Sequence, residues 1–387
     1  MRRTQRGSLT DRVVSARRLL TIGHSYCVEL NRRLPQELAR LGNWEVTAVA
    51  PARFRGDFGW HATEIRADEA CRVVAVPVRF SRRAHTMLYG MDLARLLRQR
   101  WDLVHCWEEP YVPSAAQVAR AAARRVPLVF ATFQNIVKRY PPPFNWIEQS
   151  ARSRADGLIA FGATARQVLE ARGWTQPART IPPGVDVDRF RPDRAQRERI
   201  RHQFGWADDV PVVGFLGRFV PEKGLPMLMQ SLDRLERPWR ALFVGSGPLE
   251  IELRAWAGRH GTRVRVESGV AHADVPACLN AMDVLCAPSQ TTARWREQFG
   301  RMLIEAFACG VPVIASTSGE IPHVVADAGL TVGEHDGEGW VRAIEQLLAD
   351  RDRRAHLARR GRERAVSTYA WPVVARQHLE FFSELSA

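Results

Sequence analysis

Two cations share one short loop. Arg218 and Lys223 lie in Gly214-Phe215-Leu216-Gly217-Arg218-Phe219-Val220-Pro221-Glu222-Lys223-Gly224, directly behind an apolar run. Glycine lets a ligand approach the backbone, arginine binds phosphate bidentately, and lysine binds it as a point charge. Lysine is rare here: Lys138 and Lys223 are the only two among 56 Lys+Arg, so position 223 keeps a compact ammonium where the chain otherwise uses arginine. A second segment runs Glu297-Gln298-Phe299-Gly300-Arg301-Met302-Leu303-Ile304-Glu305-Ala306-Phe307-Ala308-Cys309-Gly310. Gly300 precedes a predicted helix, and a helix start offers free N–H groups and about half a positive charge to a phosphate. Glu297 and Glu305 flank that start, and at ~1.5 Å per helical residue they span at least ~12 Å. That is the length of a diphosphate with a sugar at one end and a ribose at the other, and carboxylates accept hydrogen bonds from sugar hydroxyls. A third segment, Val244-Gly245-Ser246-Gly247-Pro248, is a G-x-G turn behind a strand. Glu250 occupies the last position of the G-x-G-x-x-G pattern, so a nicotinamide-type site is not supported.

The elements that must position these groups alternate. Strands are predicted over 19–22, 46–50, 73–78, 103–106, 128–131 and 158–161, with helices over 31–41, 111–125 and 146–155. Short apolar strands separated by helices mean βαβ units and parallel sheets covered on both faces. Ile181-Pro182-Pro183-Gly184-Val185-Asp186 through Pro192 reads as a connection between domains. A second series follows: strands over 212–216, 241–244, 264–267, 284–287 and 311–315, and helices over 225–235, 249–259, 301–309, 339–349, 353–367 and after Trp371-Pro372. The fold class is therefore α/β, with two doubly wound, Rossmann-like domains facing a cleft. The predicted units are 1–183, 184–370 and a terminal helix, 371–387, expected to cross back to the first domain. In open parallel sheets, ligands sit beyond the C-terminal strand ends.

The 387 residues are long enough for two such domains. The net charge of +14 is uneven: residues 1–200 carry +15 and residues 201–387 carry −1. The basic half suggests an anionic partner, a nucleic acid or a membrane surface. Arginines scattered without an aromatic-interleaved cluster argue against specific nucleic-acid binding. Six cysteines without a C-x-x-C pair read as buried free thiols in a reducing compartment. No apolar run approaches the ~18 residues of a membrane helix. The basic N-terminus reads as a leader before the first strand, because the apolar stretch behind it is too short for a signal-peptide core.

The G-R-x4-K-G loop, the G-x-G-P turn, the Glu-x7-Glu pair, Pro288-Ser289, Ser318-Gly319-Glu320-Ile321-Pro322, the linker Ile181–Asp186 and Ala281-Met282-Asp283-Val284 together resemble retaining glycosyltransferases of the GT-B fold, family 4. The resemblance covers roughly residues 18–380. It implies transfer of a sugar from a nucleotide diphosphate sugar to a hydroxyl acceptor, with retention, without a metal or other cofactor. Arg218 and Lys223 would hold the donor diphosphate and stabilise the leaving group; Gly217 and Gly23 would let it approach. Glu297 would bind donor-sugar hydroxyls and Glu305 the ribose. Backbone amides from Phe299 through Gly300, Arg301 and Met302 to Leu303 would contact sugar and phosphates. Gly245, Gly247, Val270 and Ala271 would line the base pocket. The implied acceptor is a lipid-linked glycan, a polysaccharide or a small molecule. The implied setting is cytoplasmic, peripheral on the inner face of an anionic membrane.

The first half departs from the family pattern. Gly23-His24-Ser25 has one glycine where many relatives have two. His105-Cys106-Trp107-Glu108-Glu109-Pro110 has Trp107 where many have a second histidine. His105 is the expected catalytic group on the acceptor side, with His24, Glu108 and Glu109 as further candidates. Asp186-Val187-Asp188 matches a metal-binding pattern of another glycosyltransferase fold, but its place in the linker argues against a metal. The competing readings are a nucleotide-sugar epimerase or hydrolase of the same fold, and a basic nucleic-acid-binding protein.

Overall fold

A computed structural model describes residues 16–56, 59–207 and 209–386. Most of the basic leader lies outside the described residues. The first half forms a seven-stranded sheet in the order Ala178–Thr180, Gly157–Ala160, Leu128–Thr132, Leu103–Cys106, Arg17–Ile22, Trp44–Pro51 and Arg72–Val76. The second forms a six-stranded sheet in the order Val264–Glu267, Arg240–Val244, Val212–Leu216, Val284–Ala287, Val313–Ser316 and Leu330–Val332. Every pairing in both sheets is parallel. The central strands are buried throughout, because helices cover both faces; Leu103–Cys106 and Val284–Ala287 have no exposed residue.

Strand order reverses once in each sheet. In the first, Arg17–Ile22 lies between Leu103–Cys106 and Trp44–Pro51, so the crevice opens between Ile22 and Cys106. In the second, Val212–Leu216 lies between Val284–Ala287 and Arg240–Val244, so it opens between Leu216 and Ala287. Such reversals leave room at the strand ends because the two flanking connections turn away from each other.

The chain passes from one half to the other through Ile181–Pro192 and returns beside that passage. Val185 N donates to Tyr369 O at 2.8 Å and Trp371 N to Val185 O at 3.3 Å. The helix Trp371–Leu385 then packs on Arg33–Leu41. Its Val374, Ala375, Phe381 and Phe382 join Leu19, Leu38, Val46 and Ile159 in one apolar cluster. Pro372 in the first turn suits the start of this helix, where its missing N–H leaves no bond unmade.

Several expected boundaries move. The run 73–78 is not one strand: it ends at Val76, Pro77 interrupts it, and Val78–Arg79 pairs antiparallel with Leu88–Tyr89. A second hairpin, Arg53–Gly56 with Gly59–Ala62, and the helices Ala163–Ala171 and Arg194–Gln203 were not predicted from the sequence. The helix expected over 111–125 is Pro113–Ala121, started by Pro113. Six buried cysteines are unpaired.

Candidate functional site

The chemistry-bearing segments of the second half converge at the strand reversal of its sheet. Gly217 N donates to Val244 O (3.0 Å) and Phe219 N to Ser246 O (2.8 Å), so the Arg218 loop lies alongside the G-x-G turn. Gly245 makes this close pairing possible: a Cβ there would stand 1.8 Å from Gly217 O. Gln290 N donates to Glu222 O at 2.8 Å, which ties Pro288-Ser289 to the Lys223 turn.

Lys223 Nζ lies 2.5 Å from Glu297 Oε2, with both side chains largely buried. Ser289 Oγ donates to the same carboxylate oxygen at 2.9 Å, and the Trp295 ring lies 5.3 Å from the ammonium. A lysine has three N–H donors. One engages Glu297, which leaves the ammonium able to serve an anionic ligand as well. Arg218, in the same loop, is exposed.

Glu297 precedes the helix Arg301–Ala308, which starts from Gly300 at φ 82°. No side chain among the described residues caps that start. Phe299 and Leu303 are buried and Met302 is 9% exposed, so these residues can offer a ligand their backbone but little of their side chains. Arg301 is exposed. Glu305, one turn along, lies 3.4 Å from His272 Nε2. His272 follows Val270 and Ala271, so the expected base-pocket and ribose residues meet through a histidine that the sequence reading did not single out. Nothing local marked it.

The two halves touch around this site. Asn135 Nδ2 donates to Glu297 O (2.8 Å) and Gln298 Nε2 to Phe133 O (3.2 Å). Glu320 accepts from Ala163 N (2.7 Å), Thr164 N (2.8 Å) and Thr164 Oγ1 (2.6 Å). A carboxylate of the second half thus caps the helix Ala163–Ala171 of the first, where the helix dipole favours a negative charge. None of these cross-contacts was legible from spacing.

His105 is corrected. Its side chain has no exposed surface. Nδ1 lies 3.1 Å from Thr21 Oγ1, and the ring packs against Trp107, His378 and Phe382. Burial, with some help from His378, holds its pKa well below the usual imidazole range. It is a neutral core residue under the terminal helix and does not reach a substrate.

His24 occupies the crevice instead. Its backbone N donates to Glu108 Oε1 and its Nδ1 lies against Glu108 Oε2, both at 2.6 Å. Tyr89 Oη donates to Glu108 Oε1 at 3.0 Å. Burial lowers the pKa of His24, but the Glu108 charge and hydrogen bond, with Glu109, outweigh it, so the pKa is raised. Glu109 accepts from Thr132 Oγ1 (2.5 Å) and Phe133 N (2.8 Å). Burial exceeds those hydrogen bonds and pushes its carboxyl up to about 7. Gly23 is packed against Trp107, whose Cβ a side chain there would meet at 3.0 Å. Asp186 accepts from Asp188 N and Arg189 N and pairs with Arg33, which makes it a turn cap in the linker.

Known proteins share this architecture and these segments. Residues 30–189 match the pattern described as Glycosyltransferase Family 4, and residues 196–364 that described as Glycosyl transferases group 1. The chain is 37% identical over 217 residues to a GDP-mannose-dependent alpha-(1-6)-phosphatidylinositol monomannoside mannosyltransferase of Mycolicibacterium smegmatis, covering 54% of this chain and 56% of the relative. It is 30% identical over 303 residues to a D-inositol 3-phosphate glycosyltransferase of Corynebacterium jeikeium, covering 74% and 69%. The match to the mannosyltransferase thus spans little more than half of that relative's length. Among solved structures, a sucrose-phosphate synthase from Thermosynechococcus elongatus superposes with a TM-score of 0.74 at 22% identity, over 95% of this chain and 99% of that one. Anabaena Alr3699/HepE in complex with UDP superposes with a TM-score of 0.75 at 18% identity, over 95% and 100%. With two parallel-sheet domains and both family patterns in sequence, the chain belongs to the GT-B glycosyltransferases of family 4.

Proposed function

We propose that the protein transfers a sugar, with retention and without a metal, from a nucleotide diphosphate sugar to a hydroxyl acceptor. The observation that carries this reading is the Lys223–Glu297–Ser289 cluster, set between the Arg218 loop and the Gly300 helix start at a strand reversal. Arg218, Lys223 and the helix start bind the diphosphate. They also stabilise the charge that grows on it as the sugar bond breaks, which is the electrostatic role a metal has elsewhere. Glu297 reads donor-sugar hydroxyls and Glu305 the ribose. Gly245, Gly247, Val270 and Ala271 enclose the base. The relatives named for GDP-mannose and the neighbour bound to UDP support a nucleotide-sugar donor.

A panel of UDP-, GDP- and ADP-sugars in a thermal-shift assay tests it. A donor present at 100 times its Kd should add about 2.7 kcal/mol to stability, and EDTA should leave both the shift and turnover unchanged. If no nucleotide sugar raises the Tm, or if turnover requires a divalent metal, the reading fails.

We also infer that the first half meets an anionic membrane surface. The two hairpins missed in the sequence adjoin: Arg55 N donates to Ser81 O at 3.2 Å. Together they expose Trp60 (46%) and Phe80 (68%) among the exposed Arg53, Arg55, Arg79, Arg82 and Arg83. Aromatic rings favour the membrane–water boundary, and each arginine near an anionic surface contributes about 1 kcal/mol. Co-sedimentation should show binding to phosphatidylglycerol vesicles and none to phosphatidylcholine. The triple change R55Q/R82Q/R83Q should weaken it roughly 10²-fold, as three such contacts at ~1 kcal/mol each require. Equal binding to neutral vesicles, or firmer retention on RNA at physiological salt, would replace this inference.

A further inference from the structure

His24 is a histidine held in one orientation at the place where the first sheet opens. It follows Gly23 at the end of Arg17–Ile22, while Glu108 follows Leu103–Cys106. The 2.6 Å bridge between them spans the strand reversal. Glu108 is 1% exposed and takes three donors, His24 N, His24 Nδ1 and Tyr89 Oη. An ionised carboxylate only accepts, so the proton must sit on Nδ1, and the neutral ring presents its lone pair at Nε2. Nε2 has no partner among the described residues, and 28% of the side chain is exposed. The same loop faces the donor half. Asn31 Nδ2 donates to Ser25 O at 3.0 Å, and Arg301 Nη1 reaches Asn31 Oδ1 at 3.4 Å. His24 therefore lies across the cleft from the Gly300 helix start.

We propose that His24 Nε2 is the hydrogen-bond acceptor for the hydroxyl that receives the sugar, with Glu108 and Tyr89 as its positioning residues. This rests on the donor-site reading above and adds the group that aims the incoming oxygen. A carboxylate behind a histidine fixes both tautomer and ring direction, which a free imidazole would have to settle on each encounter. A protonated Nε2 cannot accept, so the rate rises with pH through the pKa of His24. The Glu108 anion holds that pKa up, so removing the anion moves the midpoint down. Glu109 is the other titrating group that acts on the ring, Phe54 packs against it at 5.1 Å, and Tyr89 reaches Glu108 behind it.

The test compares His24→Gln, Glu108→Gln and Glu109→Gln in the full chain. The donor is the nucleotide sugar that shifts the Tm most, and water serves as the acceptor. Calorimetry gives the Kd of the matching nucleoside diphosphate. His24→Gln should lower turnover roughly 10²-fold, the scale of a misplaced reacting group, leave that Kd unchanged and abolish the pH limb. Glu108→Gln should shift the limb to lower pH, and Glu109→Gln should shift it the same way but less. Wild-type turnover in His24→Gln, or a limb that follows Glu109 and ignores His24, overturns the assignment. If Glu108→Gln does not fold, His24→Gln alone decides. Loss of nucleotide binding in the wild type would sink the donor reading itself, whereas intact binding with a pH profile indifferent to His24 removes only this inference.

Discussion

Lys223→Ala should reduce sugar transfer by roughly 10²–10³-fold, the cost of deleting one fixed charge-stabilising donor. The loss should fall on kcat more than on donor affinity, because the ammonium matters most when the leaving diphosphate gains charge. Arg218→Ala should behave alike; Glu305→Ala should instead weaken donor binding. Lys223 also partners Glu297, which is 6% exposed. Breaking a buried pair from one side leaves a carboxylate that, among the described residues, keeps the Ser289 hydroxyl alone, which is destabilising in its own right. The double variant Lys223→Ala/Glu297→Gln separates the two effects: it should recover thermal stability and still fail to transfer. Lys223→Arg should restore little, since the site is bounded by Glu297 at 2.5 Å and Trp295 at 5.3 Å and a planar guanidinium needs more room. Wild-type kcat in Lys223→Ala would remove it from the site.

Gly224→Ala should be among the most destabilising single-methyl additions in the second half. Gly224 has φ +71°, where a Cβ costs roughly 1–2 kcal/mol. That Cβ would also stand 1.9 Å from Pro288 O, so the Lys223 turn must separate from the Pro288-Ser289 segment. Core strain of this kind exceeds the usual mutational range, at about 4 kcal/mol or more, and should lower the Tm by roughly 10 °C. The control is Gly258→Ala, on the helix Glu250–His260, where nothing lies within 4 Å of the new Cβ. It should be neutral or stabilising by up to about 1 kcal/mol. Thermal unfolding by circular dichroism reads both. A Gly224→Ala protein with wild-type Tm would mean that the turn and Pro288-Ser289 are not in contact.

Much of the second half was legible because its central strands are buried. A buried parallel strand is a continuous apolar run with abrupt ends, and Val212–Leu216 and Val284–Ala287 appear where the sequence places them. Arg218, Lys223 and Glu297 lie on the connections behind those strands and Glu305 on the helix that follows, so local spacing brings them close to their places. The hairpins Arg53–Gly56 with Gly59–Ala62 and Val78–Arg79 with Leu88–Tyr89 left no such trace. They are short, half exposed and rich in arginine, and each strand depends on its partner more than on its own residues. The helix Arg194–Gln203 was hidden by the same arginine-rich composition, although Asp193 caps it.

The sequence by itself determined the two-domain α/β plan, the clustering of cations and glutamates in the second half and the uneven charge. Those follow from periodicity and from chemistry clustered within a few residues. Only the tertiary structure separated the surroundings of His105 and His24. Both sit at the ends of neighbouring strands, and nothing local distinguishes them. His105 is sealed by His378 and Phe382, more than 270 residues along the chain, and is a core residue. His24 meets Glu108, 84 residues away, and is left with one nitrogen open to the cleft. Exposure and orientation are set by which distant segments pack together, so they exist only once the terminal helix and both sheets are in place.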